Sequence, residues 1–308
     1  MKVLFVVTGN KGRLSFVFAN QLASLKDELA EYKLYLVQGK GVWGYLKNLF
    51  PLVREIRRFR PDLIHAHYSL CGYLAALTGF RRVVVSLMGS DCRSHSSVLL
   101  VRFFHSLFWS YSIVKSKEMQ HILKLKQRVD LIPNGVDLEK FEFISKAEAC
   151  RQVGFDAACK NVTFIANPTR PEKNYPLAEN AVSLLKISNV KLNIVFEIPH
   201  EQIRHYLYAS DALLLTSLHE GSPNVIKEAM ACELPIVSTD VGDVKSNISG
   251  LSGCYVTGFN ASEIADALSQ ALMHEGPTGG RERLLQLGLD ALTVKDKVIG
   301  VYQKTLTI

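Results

Sequence analysis

Short runs of β-branched and aliphatic residues recur along the chain, each followed by a longer stretch in which apolar positions return at helical spacing between polar ones. The short runs read as buried strands and the longer pattern as amphipathic helices. Strands and helices therefore alternate throughout, the mark of parallel sheets covered by helices, the α/β class. In the first half the expected strands are Val3–Thr8, Leu34–Val37, Leu63–His67, Val83–Leu87, Ser112–Val114 and Asp130–Ile132. The second set is Val162–Ala166, Lys191–Phe196, Ala212–Thr216, Pro235–Thr239 and Gly253–Val256. Between the sets, Ile132-Pro133-Asn134-Gly135-Val136-Asp137 interrupts regular structure, and a polar helical stretch follows from Ser145. The expected domains are 1–143 and 144–308. Near the end, Val298, Ile299, Val301, Tyr302 and Leu306 fall on one helical face that should be buried.

Composition narrows this picture without changing it. With 308 residues, 48% of them apolar, the chain exceeds the usual single domain of about 100 to 200 residues. Met1–Thr8 reads as a strand rather than a secretion leader. No run approaches the roughly 20 apolar residues that span a bilayer, so the expected location is cytoplasmic. The six cysteines show no close pair of the kind that chelates metal or exchanges disulfides. The net charge of +7 is weighted toward Lys47, Arg54, Arg57, Arg58, Arg60, Arg81 and Arg82, which suggests an anionic partner. Nucleic acid explains it poorly, because no recognised binding motif accompanies the charge.

The candidate chemistry is concentrated in Leu214–Met230, where an apolar strand gives way to a small-residue turn and then a helix. Ser222 is a suitable N-cap and Pro223 suits the first helical position. The first free N–H groups then belong to Asn224 and its neighbours. A helix end leaving the carboxyl edge of a parallel strand favours phosphate through its donors and its partial positive charge. Glu220 and Glu228 frame that end, and ionised carboxylates accept hydrogen bonds from sugar or ribose hydroxyls. On local physics alone an ordinary structural turn fits equally well, with Glu220 a helix-dipole residue and Glu228 a solvated one. A second segment, Asn167–Asn174, follows the first strand of the second half and carries Arg170 and Lys173. Two fixed cations there could neutralise a leaving diphosphate without a metal.

These segments resemble the retaining glycosyltransferases of family 4, the glycosyl transferases group 1. Glu220 to Glu228 matches the family's paired-glutamate signature, and Ala229-Met230-Ala231 and Pro235–Gly242 look similar to its flanking sequence. Pro61–Tyr68, Ser116–Met119 and Ile132–Asp137 with Phe141 resemble its first-domain segments. The resemblance implies the GT-B fold: two Rossmann-like doubly wound domains facing a cleft, with the last helix, about 294–306, returning to the first. It implies a donor, a UDP- or GDP-sugar, and an acceptor hydroxyl on a glycan or lipid-linked saccharide, with no metal or other cofactor. It also implies that Glu220 contacts the transferred sugar and Glu228 the ribose, while the amides around Gly221, Ser222, Asn224 and Val225 hold the diphosphate. Lys173 matches the family's phosphate lysine. The family arginine position is Pro168 here, and Arg170 stands in for it. Ile198 and Gly12 complete the donor-binding set implied.

Two further features depart from the pattern. Ser86–Asp91 carries Met88 where the family commonly has a histidine that touches the donor sugar. His65, His67 and His219 lie nearby in sequence, but none is assigned as a base. After Phe196 the usual glycine-rich unit is shortened, leaving the choice between uracil and guanine open. Gly9 and Gly12 give a close-approach turn after the first strand, without the three-glycine fingerprint or the acidic partner of a nicotinamide site. Two other readings share the donor site, a non-catalytic sugar-nucleotide-binding subunit and a GT-B epimerase. Finally, Trp43, Tyr45, Leu46, Leu49, Phe50, Leu52, Val53 and Ile56 interleave with Lys47, Arg54, Arg57 and Arg58. That pattern suits either an ordinary core-facing helix or peripheral contact with the inner face of a membrane.

Overall fold

The computed structural model describes residues 1–9, 14–39, 41–92 and 94–307. Gly12, expected among the donor-binding residues, lies outside them. The chain divides into two compact units, Met1–Gly135 together with the stretch from Ala291 onward, and Val136–Asp290. The division falls earlier than the expected 143/144 boundary because Val136 and Phe141 already pack in the second unit's core.

The first unit's strands are β1 (Lys2–Thr8), β2 (Glu31–Val37), β3 (Leu63–His67), β4 (Val83–Ser86), β5 (Tyr111–Val114) and β6 (Val129–Leu131). Its helices are α1 (Phe16–Leu25), α2 (Gly41–Leu46), α3 (Leu49–Phe59), α4 (Ser69–Leu77), α5 (His95–Leu107) and α6 (Lys117–Leu123). The second unit has β7 (Lys160–Ile165), β8 (Val190–Val195), β9 (Ala212–Leu215), β10 (Ile236–Thr239) and β11 (Cys254–Thr257). With them come α7 (Lys146–Val153), α8 (Tyr175–Ser183), α9 (Ile203–Tyr208), α10 (Asn224–Ala231), α11 (Val244–Ile248), α12 (Ala261–Leu272) and α13 (Gly280–Gln286). The last helix, α14 (Ala291–Leu306), belongs to the first unit. Each expected strand is found, with its ends moved by a few residues.

Both sheets are parallel, in the orders β2-β1-β3-β4-β5-β6 and β11-β10-β9-β7-β8. Register follows burial: β1 pairs with β3 from Val3 opposite Leu63 to Val6 opposite Ala66, and all five residues of β3 are buried. Strands covered on both faces carry near-continuous apolar sequence, which is why these runs were legible. On one face of the first sheet, Leu52, Leu74, Val101, Trp109 and Leu123 form the core under α3 to α6. On the other, Phe5, Phe18, Leu25 and Ile113 pack with Val298, Val301 and Tyr302 of α14. The second sheet is covered likewise. Ile226, Met230, Ile248 and Leu284 fill one side and Phe164, Ala178, Ile264 and Leu268 the other. Two doubly wound α/β layers of this kind are the Rossmann-like architecture expected. Among the described residues no helix is long and apolar enough to cross a membrane.

Candidate functional site

In the second unit the chain steps from β7 outward to β8, then returns past β7 to β9. The strand order therefore reverses between β7 and β9, and in open α/β sheets the loops leaving such a switch point line the ligand crevice. The two loops here are tied together. Thr216 Oγ1 donates to the carbonyls of Lys173 (3.1 Å) and Asn174 (3.0 Å), and the Leu218 N–H donates to Glu172 O at 2.8 Å. Asn174, at φ 51°, takes the left-handed turn that carries the chain from this loop into α8.

That stitching brings Lys173 against Glu220. The ammonium stands 2.5 Å from Glu220 Oε1, and Ser217 Oγ donates to the same oxygen at 2.8 Å. Their side chains are 18% and 16% exposed, shielded enough for strong electrostatics and open enough to meet a ligand. Arg170 is placed differently. Its guanidinium is held by Glu172, Nη2 at 2.6 Å from Oε1, and the side chain is 53% exposed.

Beside the pair, α10 begins at Asn224 with Pro223 at the N-cap, which supplies no side-chain cap. The expectation that Ser222 caps this helix is corrected. Ser222 Oγ instead donates to Asp243 Oδ2 at 2.6 Å and accepts from Lys227 Nζ at 2.8 Å. Two charged groups outcompete a backbone amide for a hydroxyl, since charge-assisted hydrogen bonds are the stronger kind. Lys227 is fully buried, and burial pushes its ammonium down to about 8 against the opposing pull of Asp243 and Glu228. Sequence reading missed it as a site residue because a lysine on an otherwise apolar helix face gives no signal of its own.

The approach to α10 is made of small residues. Gly242, at φ 59°, lies so close that a Cβ there would stand 2.6 Å from Gly221 O and 3.0 Å from Glu220 O. The start of α13 is a useful contrast within the same unit. There Glu233 accepts from the N–H groups of Gly279 (2.7 Å), Gly280 (3.0 Å) and Arg281 (2.8 Å). This chain thus fills one helix N-terminus with its own carboxylate, while at α10 no side chain from the cap position does so.

Glu228 lies within α10, 5% exposed, and its Oε1 meets His200 Nε2 at 2.8 Å. His200 follows β8, where the connection to β9 is a single short helix, α9, as the shortened segment implied. Nothing in the residue pattern signals this contact, because the partners stand 28 residues apart on different elements. Ile198 is half-buried against the core beneath α10, as is Val225. The structure therefore gathers Lys173 with Glu220, and Ser222 with Lys227 and the first turn of α10, while Arg170 turns to Glu172.

Two doubly wound parallel sheets, with this carboxyl-edge site in the second, define a GT-B-type α/β protein. The match to solved structures is of that kind. The chain superposes on sucrose-phosphate synthase from Thermosynechococcus elongatus with a TM-score of 0.80 at 14% identity, covering 100% of both chains. It superposes on Anabaena HepE, solved in complex with UDP and glucose, with a TM-score of 0.78 at 16% identity, covering 98% of this chain and 99% of that one. Residues 159–274 match the model for the glycosyl transferases group 1, and residues 17–140 that for glycosyltransferase family 4. The chain belongs to this family. Its sequence is 27% identical over 241 residues to TuaC of Bacillus subtilis (strain 168), whose name places it among glycosyltransferases of teichuronic acid biosynthesis. That match takes in 70% of this chain and spans 62% of the relative.

Proposed function

We propose that this protein transfers a sugar from a nucleoside-diphosphate-sugar donor to a hydroxyl of a glycan or lipid-linked acceptor, with retained anomeric configuration. The observation that carries this reading is the Lys173–Glu220 pair, set at the switch point beside the start of α10. In the reaction the bond from the anomeric carbon to the diphosphate oxygen breaks and one to the acceptor oxygen forms on the same face. The acceptor's proton passes to the leaving phosphate. Lys173 offsets the charge that develops on the diphosphate, while the N–H groups of Gly221, Ser222, Asn224 and Val225 and the buried Lys227 add positive potential. Glu220 accepts from hydroxyls of the transferred sugar and Glu228 from the ribose. Arg170 joins only by exchanging Glu172 for phosphate.

HepE was solved with UDP and glucose, which supports testing uridine nucleotides first. Thermal unfolding with UDP, GDP and their sugar conjugates is the direct check. A ligand at about 100 times its Kd should stabilise the fold by about 2.7 kcal/mol. No shift with any of them removes the reading. Binding without transfer leaves a sugar-nucleotide-binding subunit, and an epimer formed from donor alone makes the protein an epimerase.

The acceptor reading extends to a lipid surface. Of the basic amphipathic stretch, Leu52 is buried and Tyr45, Leu49 and Ile56 pack on the same core, so its main apolar face is already used. Trp43 and Phe50 are left out at 78% and 76% exposure. They share a helix layer with α5, whose Leu99, Leu100, Phe103 and Leu107 are also exposed. Arg54, Arg57 and Arg58 border Phe50 in sequence on α3, and each basic side chain at an anionic surface contributes about 1 kcal/mol. The protein should therefore sediment with phosphatidylglycerol vesicles and much less with phosphatidylcholine, and added salt or the Trp43→Ser/Phe50→Ser pair should release it. Equal partition into both vesicles, or into neither, would count against a membrane-bound acceptor.

A further inference from the structure

The first unit has a cavity of about 830 Å³ at the amino ends of β3 to β5, the opposite edge of the sheet from the loops that follow those strands. It is built from residues that lead into successive strands: Asp62 before β3, Arg82 before β4, Ser110 before β5 and Arg128 before β6. Trp109, fully buried and donating its Nε1–H to Gly72 O at 3.1 Å, forms part of the wall. Ser110 Oγ donates to Arg81 O at 2.7 Å and the Ile64 N–H to Arg82 O at 2.9 Å, so the backbone that carries both arginines is fixed.

Three arginines line this wall against a single carboxylate among the described residues, and they are not equivalent. Arg128, at φ 51°, turns its guanidinium onto the end of α5 and the turn after it, donating to the carbonyls of His105 (3.1 Å), Ser106 (3.1 Å) and Trp109 (2.7 Å). That satisfies carbonyls which would otherwise present the negative end of the helix. The carboxylate, Asp62, accepts from the Lys2 N–H at 2.7 Å rather than from an arginine. Arg81 and Arg82 are exposed, and among the described residues neither guanidinium has a hydrogen bond or ion pair. Neighbouring unpaired cations repel, and each offers a planar fork of donors that fits two phosphate oxygens at once.

The rim supplies an apolar half. Leu107 and Phe108 line the cavity and are 64% and 45% exposed. Exposed apolar side chains beside free cations are the complement of an anionic amphiphile rather than of a free anion. We propose that this cavity holds the phosphate headgroup of an anionic lipid, with Arg81 and Arg82 gripping the phosphate and the lipid chain lying on Leu107 and Phe108. The inference is independent of sugar transfer, and it adds to the general attraction of a basic surface a site that reads one chemical group.

The chain has two tryptophans, Trp43 and Trp109, so in a Trp43→Ser background the emission reports the cavity wall alone. Dihexanoyl phosphatidic acid, kept below its micelle concentration, should change that emission saturably. Dihexanoyl phosphatidylcholine should not, and inorganic phosphate should bind roughly tenfold more weakly or worse. Arg81→Gln/Arg82→Gln should weaken phosphatidic acid binding roughly tenfold or more, with Tm unchanged or raised because two repelling charges are gone. Leu107→Asp, at an exposed position, should weaken it too by setting a carboxylate at the rim. Both variants should keep the UDP-induced shift. The proposal falls if phosphatidic acid gives no saturable change, if either variant binds it as the unsubstituted cavity does, or if phosphatidylcholine or inorganic phosphate binds as tightly. A missing UDP shift would strike the donor reading alone, and with no bilayer present the result does not depend on the Trp43 and Phe50 contact.

Discussion

Lys173→Ala should lower kcat for transfer roughly a hundred- to a thousandfold, the usual loss when one preorganised charge is removed from a developing anion. The donor for this measurement is the nucleotide sugar giving the largest thermal shift. The effect should fall on kcat more than on KM, because the diphosphate gains negative charge only as the sugar bond breaks. Glu220→Ala should cause a loss of similar size. The double variant should lose much less than the product of the two, since each group loses its partner in either single change. Folding should survive, because Ser217 still donates to Glu220 when Lys173 is truncated. Full activity in Lys173→Ala would remove the ion pair from the mechanism and leave the start of α10 without its assisting cation.

How much of this was legible in the sequence depended on range. The strands were visible because β1 and β3 are buried on both faces and cannot alternate with polar residues. The signature glutamates were visible because both lie in one continuous strand-turn-helix segment. Reasoning from neighbours failed wherever a distant group decided the outcome. Ser222 had every local attribute of an N-cap, yet Asp243, 21 residues on, takes its hydroxyl. Arg170 is a different case, since the carboxylate that pairs with it, Glu172, is a near neighbour in sequence. Glu228 could not announce His200, because that contact exists only once the segment after β8 is folded against α10. The observed domain division after Gly135 coincides with the visible Pro133 and Asn134-Gly135 break, and the expected 143/144 boundary overshot it because Val136 and Phe141 belong to the second core.

Gly242→Ala should destabilise the protein by about 2 to 4 kcal/mol, the sum of a strained left-handed alanine and a forced contact. The clash is with backbone: the new Cβ would stand 2.6 Å from Gly221 O, and a carbonyl cannot swing aside as a side chain can. Relief requires the Glu220–Gly221 peptide to retreat, which moves the carboxylate from Lys173 and shifts the approach to α10. UDP affinity should therefore fall together with stability. Gly154→Ala isolates the conformational part, because Gly154 also has positive φ, 77°, but ends α7 with nothing within 4 Å of an added Cβ. That variant should lose only about 1 kcal/mol and bind UDP normally. If urea unfolding gave both variants the same loss, and both bound UDP as the native chain does, the Gly242 contact would not be what sets the Glu220 loop. The position of the pair would then have to follow from the Thr216 and Leu218 hydrogen bonds alone.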